Sequence, residues 1–303
     1  MRPLARLLPL LLSLLPATAA AQATVGVDPI TKLFSAAPGQ AITQVLNIYN
    51  PNSTAQKLRI VAYLSDMNIG ETGETEFPPV GTVKESSAPW TTFTPSEIEL
   101  GGLETKQVRY TIQIPPNAAP GTHWAMLMFE AQDPAAVPGK TLASFRLRVA
   151  HTMYVNVQPI KAEGSITGIF DAPPKNETDI YQLAVQYANT GNAATGVRGR
   201  VELRDARGDL VATLPLELTV ALPGRTVLLK SAWAGPVPKG QYSALVILNN
   251  GDKNKDILGE HVVTLPFDLK ARSQAATPAA APAATPAPAT APAGTTGGPG
   301  GKP

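Results

Sequence analysis

The chain has 303 residues and carries 25 Lys and Arg against 23 Asp and Glu, so its formal net charge is only +2. This balance, with no basic run after the first residues, argues against a nucleic-acid partner. The sequence has 0 cysteines, which excludes disulfides, thiol catalysis and thiolate metal sites, so apolar cores must stabilise the domains.

Residues 1–23 have the order of features found in a secretory signal peptide. Two arginines, Arg2 and Arg6, precede an apolar run over residues 7–15. Small residues follow, and Ala21-Gln22-Ala23 is the predicted cleavage site. The apolar run, of roughly nine residues, is about half the length that a membrane-spanning helix needs. We therefore expect a protein exported to the periplasm, the cell envelope or the extracellular space, with no membrane span after cleavage.

Residues 24–157 alternate apolar and polar residues in short runs that Pro and Gly interrupt. One run places Val108, Tyr110 and Ile112 on the same side before Pro115-Pro116 ends it. A period of two is the pattern of a strand with one buried face. The region is therefore predicted to fold as an antiparallel β-sandwich.

Residues 158–270 repeat the same order of parts. In the first region a predicted strand, residues 45–49, meets the turn Asn50-Pro51-Asn52. In the second, residues 183–187 meet the turn Asn189-Thr190-Gly191-Asn192, and later strands in both regions lead to a Gly and an aromatic strand. The shared plan predicts two tandem immunoglobulin-like sandwiches, and no segment has a helical pattern of useful length.

The last residues, 271–303, repeat Ala, Thr and Pro and finish in Gly and Pro. Such a composition has almost nothing to bury, so this tail is predicted to be disordered, with polyproline II character. The predicted fold class is therefore all-β, with two tandem immunoglobulin-like β-sandwiches and a disordered Pro/Ala-rich C-terminal tail.

Around Trp90 the parts of the first region follow a recognisable order. Pro89 and Trp90 precede a strand, and a Gly turn leads to a second strand that ends at Pro115-Pro116. Pro120-Gly121 then leads into an aromatic strand. This order resembles the N-terminal immunoglobulin-like domain of the periplasmic pilus chaperones, the PapD-like family, over residues 25–157. The resemblance implies a pilus subunit as binding partner.

The last strand of this domain in the pilus chaperones presents alternating apolar side chains to a subunit and completes its sheet. Here Phe145, Leu147 and Val149 alternate with Arg146, Arg148 and Ala150, and the resemblance makes the three apolar residues candidates for partner binding. The same alternation fits side chains that fill the domain's own core, so both interpretations stay open.

The same chaperones hold the subunit's C-terminal carboxylate with an Arg on the first strand and a Lys on the last strand of this domain. Alignment of residues 28–34 with that first strand puts Thr31 at the Arg position, with Lys32 next to it. On the last strand Val149 or Ala150 falls at the Lys position, with Arg148 adjacent. A shift of one residue reverses the face of a strand. Lys32 and Arg148 are therefore candidate anchors that stand one position away from the family's pattern.

No arrangement of residues predicts catalysis. The three histidines lie in strand patterns without a metal-site or triad spacing: His123, His151 and His261. Asp252 and Asp256 belong to a segment that opens like a calcium loop, but Ile257 stands where that loop requires Gly. We therefore expect no enzyme activity, no metal and no cofactor.

These features predict an exported, non-enzymatic binding protein, similar to a pilus chaperone, that engages an envelope or pilus protein through sheet edges. The alternative is a structural cell-surface protein or one that binds cell-wall polymer, because the second sandwich and the Pro-rich tail resemble those of two-domain bacterial surface proteins. The sequence leaves the identity of the partner, the role of the tail and the oligomeric state open.

Removal of residues 271–303 is expected to change the midpoint of thermal unfolding by no more than about one or two degrees, because small, Pro-rich residues bury little area. Circular dichroism melts of the whole and the shortened chain measure this difference. A loss of many degrees in the shortened chain would show that the tail packs on a sandwich.

Overall fold

The computed structural model of the chain describes residues 25–53, 57–132, 147–252 and 255–271. The predicted signal peptide, Phe145 and the predicted tail beyond Ala271 lie outside these ranges. Within them the regular elements are β-strands and one short 3₁₀ helix, Ala88–Trp90, which confirms the all-β prediction. No helix in this part of the chain is long and apolar enough to cross a membrane.

The first sandwich contains two sheets, with strand orders β1-β3-β9-β7 and β2-β11-β10-β4-β8, and a separate hairpin, β5-β6. The inner faces of the two sheets meet in one core, which includes Leu46, Ile48, Tyr110, Leu127 and Phe129. The strands are β1 (Gly26–Asp28), β2 (Thr31–Ala36), β3 (Ala41–Tyr49), β4 (Leu58–Ser65), β5 (Asn68–Ile69), β6 (Thr75–Glu76), β7 (Thr91–Thr94), β8 (Glu97–Leu100), β9 (Thr105–Gln113), β10 (Gly121–Gln132) and β11 (Arg148–Val157).

The first strand of this sandwich is divided between its two sheets. β1 pairs antiparallel with β3 in one sheet, whereas β2 pairs parallel with β11 in the other, with Leu33 opposite Tyr154. Pro29 and Ile30 lie between the two pieces. The chain therefore crosses from one sheet to the other at one edge of the sandwich.

The second sandwich also contains two sheets, with strand orders β12-β13-β16 and β15-β14-β17-β18. Its separate core includes Tyr181, Tyr187, Val201, Leu214 and Val246. Two tandem β-sandwiches were the predicted architecture, and the structure confirms it. The strands are β12 (Gly164–Ala172), β13 (Tyr181–Asn189), β14 (Thr195–Arg204), β15 (Leu210–Ala221), β16 (Thr226–Trp233), β17 (Gly240–Asn249) and β18 (Ile257–Leu265).

The two sandwiches share a buried contact. Met67 and Trp124 of the first and Leu222 of the second belong to one apolar cluster, and Leu222 is 0% exposed. Beside the cluster, the amide of Thr122 donates a hydrogen bond to the carbonyl of Asn192 (2.8 Å). This contact covers part of the outer face of the sheet that contains β10 and β11.

The β5-β6 hairpin extends the contact. The carbonyl of Glu71, in the turn of the hairpin, accepts a hydrogen bond from the amide of Leu228 on β16 (2.8 Å). The side chain of Gln186 donates to the Glu71 carboxylate. The hairpin of the first sandwich therefore covers part of an edge strand of the second.

Replacement Leu222→Glu is expected to loosen the contact between the sandwiches while both stay folded, because only the shared cluster receives a buried charge. Small-angle scattering should show a larger radius of gyration, and circular dichroism an unchanged strand signal. Leu218→Glu, at a site 64% exposed, is the matched control and should change neither. An unchanged radius for Leu222→Glu would show that the cluster does not hold the sandwiches together.

Candidate partner-binding edge

One side of β11 is only partly paired. Its neighbour β10 runs along the whole strand, from Val157 opposite Gly121 to Arg148 opposite Glu130. On the other side, β2 pairs only with residues 152–157. Within the described residues, positions 148–151 therefore have no strand partner on that side, and we call these four positions the open edge.

Two hydrogen bonds show which main-chain groups face the open edge. An amide of β10 donates to the carbonyl of Leu147 (3.0 Å), and the amide of Thr152 donates to the carbonyl of Ile30 (2.8 Å). Main-chain groups along a strand alternate between its two sides. The amide and carbonyl groups of Arg148 and Ala150 consequently point toward the open side.

The apolar side chains beside the open edge face the interior. Leu147 and Val149 are half-buried and pack against the core of the first sandwich. Phe145, the third member of the predicted pattern, lies outside the described residues. The two side chains thus contact the domain's own core, and the main chain of Arg148 and Ala150 has no partner on the open side within the part of the chain that the structure describes.

Arg148 forms an ion pair on the outer face of the sheet. Its Nε atom lies 2.9 Å from Oε2 of Glu130, and the Tyr63 hydroxyl donates to the same oxygen (3.2 Å). The Glu130 side chain is 12% exposed and that of Arg148 is 48% exposed. Burial raises the pKa of Tyr63, and the charge of Arg148 acts against this shift. Arg148 therefore neutralises a largely buried carboxylate and is itself half-exposed.

Lys32 lies at a different place. It is exposed on β2 and stands opposite Met153. Met153 is five positions along β11 from Arg148, a separation of about 16 Å at roughly 3.3 Å per residue. The structure therefore does not bring the two candidate anchors, Lys32 and Arg148, together.

His151 fixes the point at which the open edge ends. It is fully buried, its Nδ1 atom donates to the carbonyl of Pro29 (2.6 Å), and its Nε2 atom accepts from the Tyr110 hydroxyl (2.9 Å). This assignment satisfies both ring nitrogens of a neutral imidazole. Burial lowers the pKa of His151. The hydrogen bond to Pro29 acts to raise this pKa, and the charge of Lys32 acts to lower it. The network holds the chain against β11 just before β2 begins.

The sequence alone does not indicate this network. Tyr110 and Pro29 lie 41 and 122 residues from His151 along the chain, so no local spacing indicates the contact. His151 was predicted to be a strand residue, satisfied or exposed, and in the structure it lies on β11 with both ring nitrogens satisfied in the core. Among the described residues, no group of three or more His, Asp or Glu side chains is placed to hold a metal ion.

A scan against protein-family models gave no match, and no curated protein matches the chain. Among solved structures, the chain is similar to a chain of the chaperone–tip adhesin complex of CFA/I fimbriae biogenesis, with 14% identity over 79% of this chain and 98% of that chain and a TM-score of 0.44. It is similar to the class 5 fimbriae chaperone CfaA, with 14% identity over 80% of this chain and 100% of that chain and a TM-score of 0.40.

A third similar structure is the Salmonella enterica SafA pilin in complex with the SafB chaperone, with 14% identity over 81% of this chain and 99% of that chain and a TM-score of 0.40. These structures are fimbrial chaperones or their complexes. They are the kind of protein that the sequence of the first sandwich resembles.

The first sandwich is expected to lose stability as the pH falls from 7.5 to 5.5. The pKa of His151 is lowered in the folded state, so the unfolded chain takes up a proton near pH 6.5 and the folded chain takes it up only at a lower pH, and protonation therefore favours unfolding. Urea unfolding at several pH values, followed by the fluorescence of Trp90 and Trp124 in a Trp233→Phe background, measures this loss.

The variant His151→Gln removes the titrating ring and should show a smaller loss over the same pH range. His261→Gln changes a histidine of the second sandwich and should leave the loss in the first sandwich as in the parent protein. Equal losses in the parent and in His151→Gln would contradict the role assigned to His151.

Proposed function

We propose that this protein is exported and, like a pilus chaperone and without enzymatic activity, holds a pilus or other envelope protein at the open edge of β11. The observation that supports this most strongly is the stretch at positions 148–151, which has no strand partner on one side among the residues that the structure describes and lies beside the core of the first sandwich. The predicted signal peptide supports a location in the periplasm or cell envelope.

The main chain of the open edge is suited to strand addition. A partner strand laid along it would bond to the amide and carbonyl groups of Arg148 and Ala150, and such bonds give affinity in β-strand addition. Each bond contributes about 0.5–1.5 kcal/mol net. This part of the affinity does not depend on the partner's side chains.

Side chains on the two faces of the added strand would give selectivity. On the inner face they would meet Leu147 and Val149, which already pack on the core. On the outer face they would meet the ion pair between Arg148 and Glu130. We therefore expect a partner strand that has apolar residues at alternate positions and polar residues between them.

Lys32 is the better candidate for an anchor that binds the partner's terminal carboxylate. It is exposed, and no salt bridge to it occurs within the described residues. Arg148, by contrast, forms an ion pair with Glu130. Two of the similar solved structures are complexes that involve a tip adhesin or a pilin, and a protein of that kind is the partner we propose for this chain.

Replacement of Ala150 by Pro should abolish partner binding and leave the first sandwich folded. The change removes an amide hydrogen that faces the open edge, and proline is tolerated in a strand where the missing hydrogen would face solvent. The readout is affinity capture from the producing bacterium's envelope fraction, with the retained proteins identified by mass spectrometry.

Two matched variants complete this experiment. Ala150→Ser keeps the amide hydrogen and should retain the same partner as the parent chain. Val149→Pro removes an amide that is bonded to β10 and should destabilise the sandwich by about 1–3 kcal/mol. If Ala150→Pro folds and still retains the partner, the open edge is not the binding site, and a structural surface protein becomes the better account.

A further inference from the structure

β18 is an edge strand of the second sandwich and is independent of the open edge of β11. It spans 9 residues, Ile257–Leu265, at the end of the sheet β15-β14-β17-β18. Within the described residues, no strand pairs with its outer side. Two apolar side chains on its outer face, Leu258 and Val262, are 64% and 60% exposed.

β18 has few of the protections that keep edge strands from pairing. Short length and charged side chains are common protections, and the edge strand β8 has both, with 4 residues and an ion pair between Glu97 and Arg59. β18 contains no Lys, Arg or Pro. Its one carboxylate, that of Glu260, accepts a hydrogen bond from Ser243 in the same sheet (2.6 Å). A long edge with so little charge is a template for another strand.

The inner side of β18 is fixed to the opposite sheet. Nε2 of His261 lies 2.9 Å from Oδ1 of Asp171 on β12. Gly259 lies so close to Ile166 and Ile169 that a Cβ atom there would be 3.0 and 3.1 Å from their Cδ1 atoms. The strand is therefore held in place before any partner arrives, which lowers the ordering cost of pairing.

We propose that β18 pairs antiparallel with β18 of a second copy of this chain, across a two-fold axis at His261. Residue 261 is the midpoint of the strand, so this register pairs all 9 residues. It places Glu260 opposite Val262 and Leu258 opposite Thr264 of the second copy. The two His261 side chains point inward, toward Asp171 of their own copies.

Charge selects this register over its neighbours. Residues directly opposite each other on two paired strands point to the same face of the sheet. The two-fold axis must therefore lie between two copies of the same residue, and the neighbouring registers place it at the residue before or after His261. An axis at Glu260 would place two carboxylates opposite each other, which is destabilising. An axis at Val262 would leave Ile257 and Leu258 unpaired. The axis at His261 opposes no like charges on the outer face, and it brings Val262 into diagonal contact with Leu258 and Val262 of the second copy.

The absence of cysteine makes the register directly testable, because the sequence has 0 Cys. Opposite residues of an antiparallel pair have Cα atoms about 4.5–5.5 Å apart, within the range of a disulfide. A mixture of Leu258→Cys and Thr264→Cys chains should therefore cross-link under mild oxidation at pH 7.5. Either variant alone should not, because two positions 258 lie about 20 Å apart in this register.

Charge variants at Val262 test the same register without oxidation. Val262→Glu opposes Glu260 of the second copy and should weaken dimerisation about three- to thirtyfold in sedimentation equilibrium, whereas Val262→Lys should not weaken it. Cross-linking between positions 258 and 264, together with this charge dependence, supports the proposal. A parent chain that sediments as a monomer at about 100 μM, cross-linking of either cysteine variant with itself, or equal weakening by Glu and Lys would overturn it.

Discussion

The division of the first strand between two sheets is the constraint on which the candidate site depends. Once β1 pairs with β3, the position at which β2 begins to pair decides how much of β11 is covered. Pairing begins at Thr152, so no described strand pairs with positions 148–151 on this side. The sandwich is thereby closed along most of this edge and open beside Leu147 and Val149. A partner strand would complete the sheet that the chain's own first strand leaves incomplete.

Polar groups in the core hold the chain at the point where the first strand passes from one sheet to the other. His151 bonds to both Pro29 and Tyr110, and neither ring nitrogen is left without a partner. A satisfied buried network adds little net stability, but loss of one member leaves another unpaired at a cost of about 1–3 kcal/mol. The network therefore fixes the position of the chain between β1 and β2 and adds little to the stability of the sandwich. Because the pKa of His151 is lowered in the folded state, the stability of the first sandwich falls as the pH falls.

Alternation in the sequence was sufficient to predict which side of a strand is buried. Val108, Tyr110 and Ile112 are all buried, as their spacing indicates. The same pattern does not say which neighbour a strand pairs with, so the parallel pairing of β2 with β11 was not predictable. For that reason, alignment of single strands was enough to predict Lys32 and Arg148 as candidate anchors. The distance between the two residues follows only from the register of β2 with β11.

Hydrogen exchange at the amides of Arg148 and Ala150 tests the central claim most directly, since both are assigned to the unpaired side of β11. In the free protein these two amides should exchange rapidly, whereas the amide of Val149, which faces β10, should be protected. In the complex with the partner, both amides should become protected. Protection of Arg148 and Ala150 in the free protein, or unchanged exchange in the complex, would contradict the account.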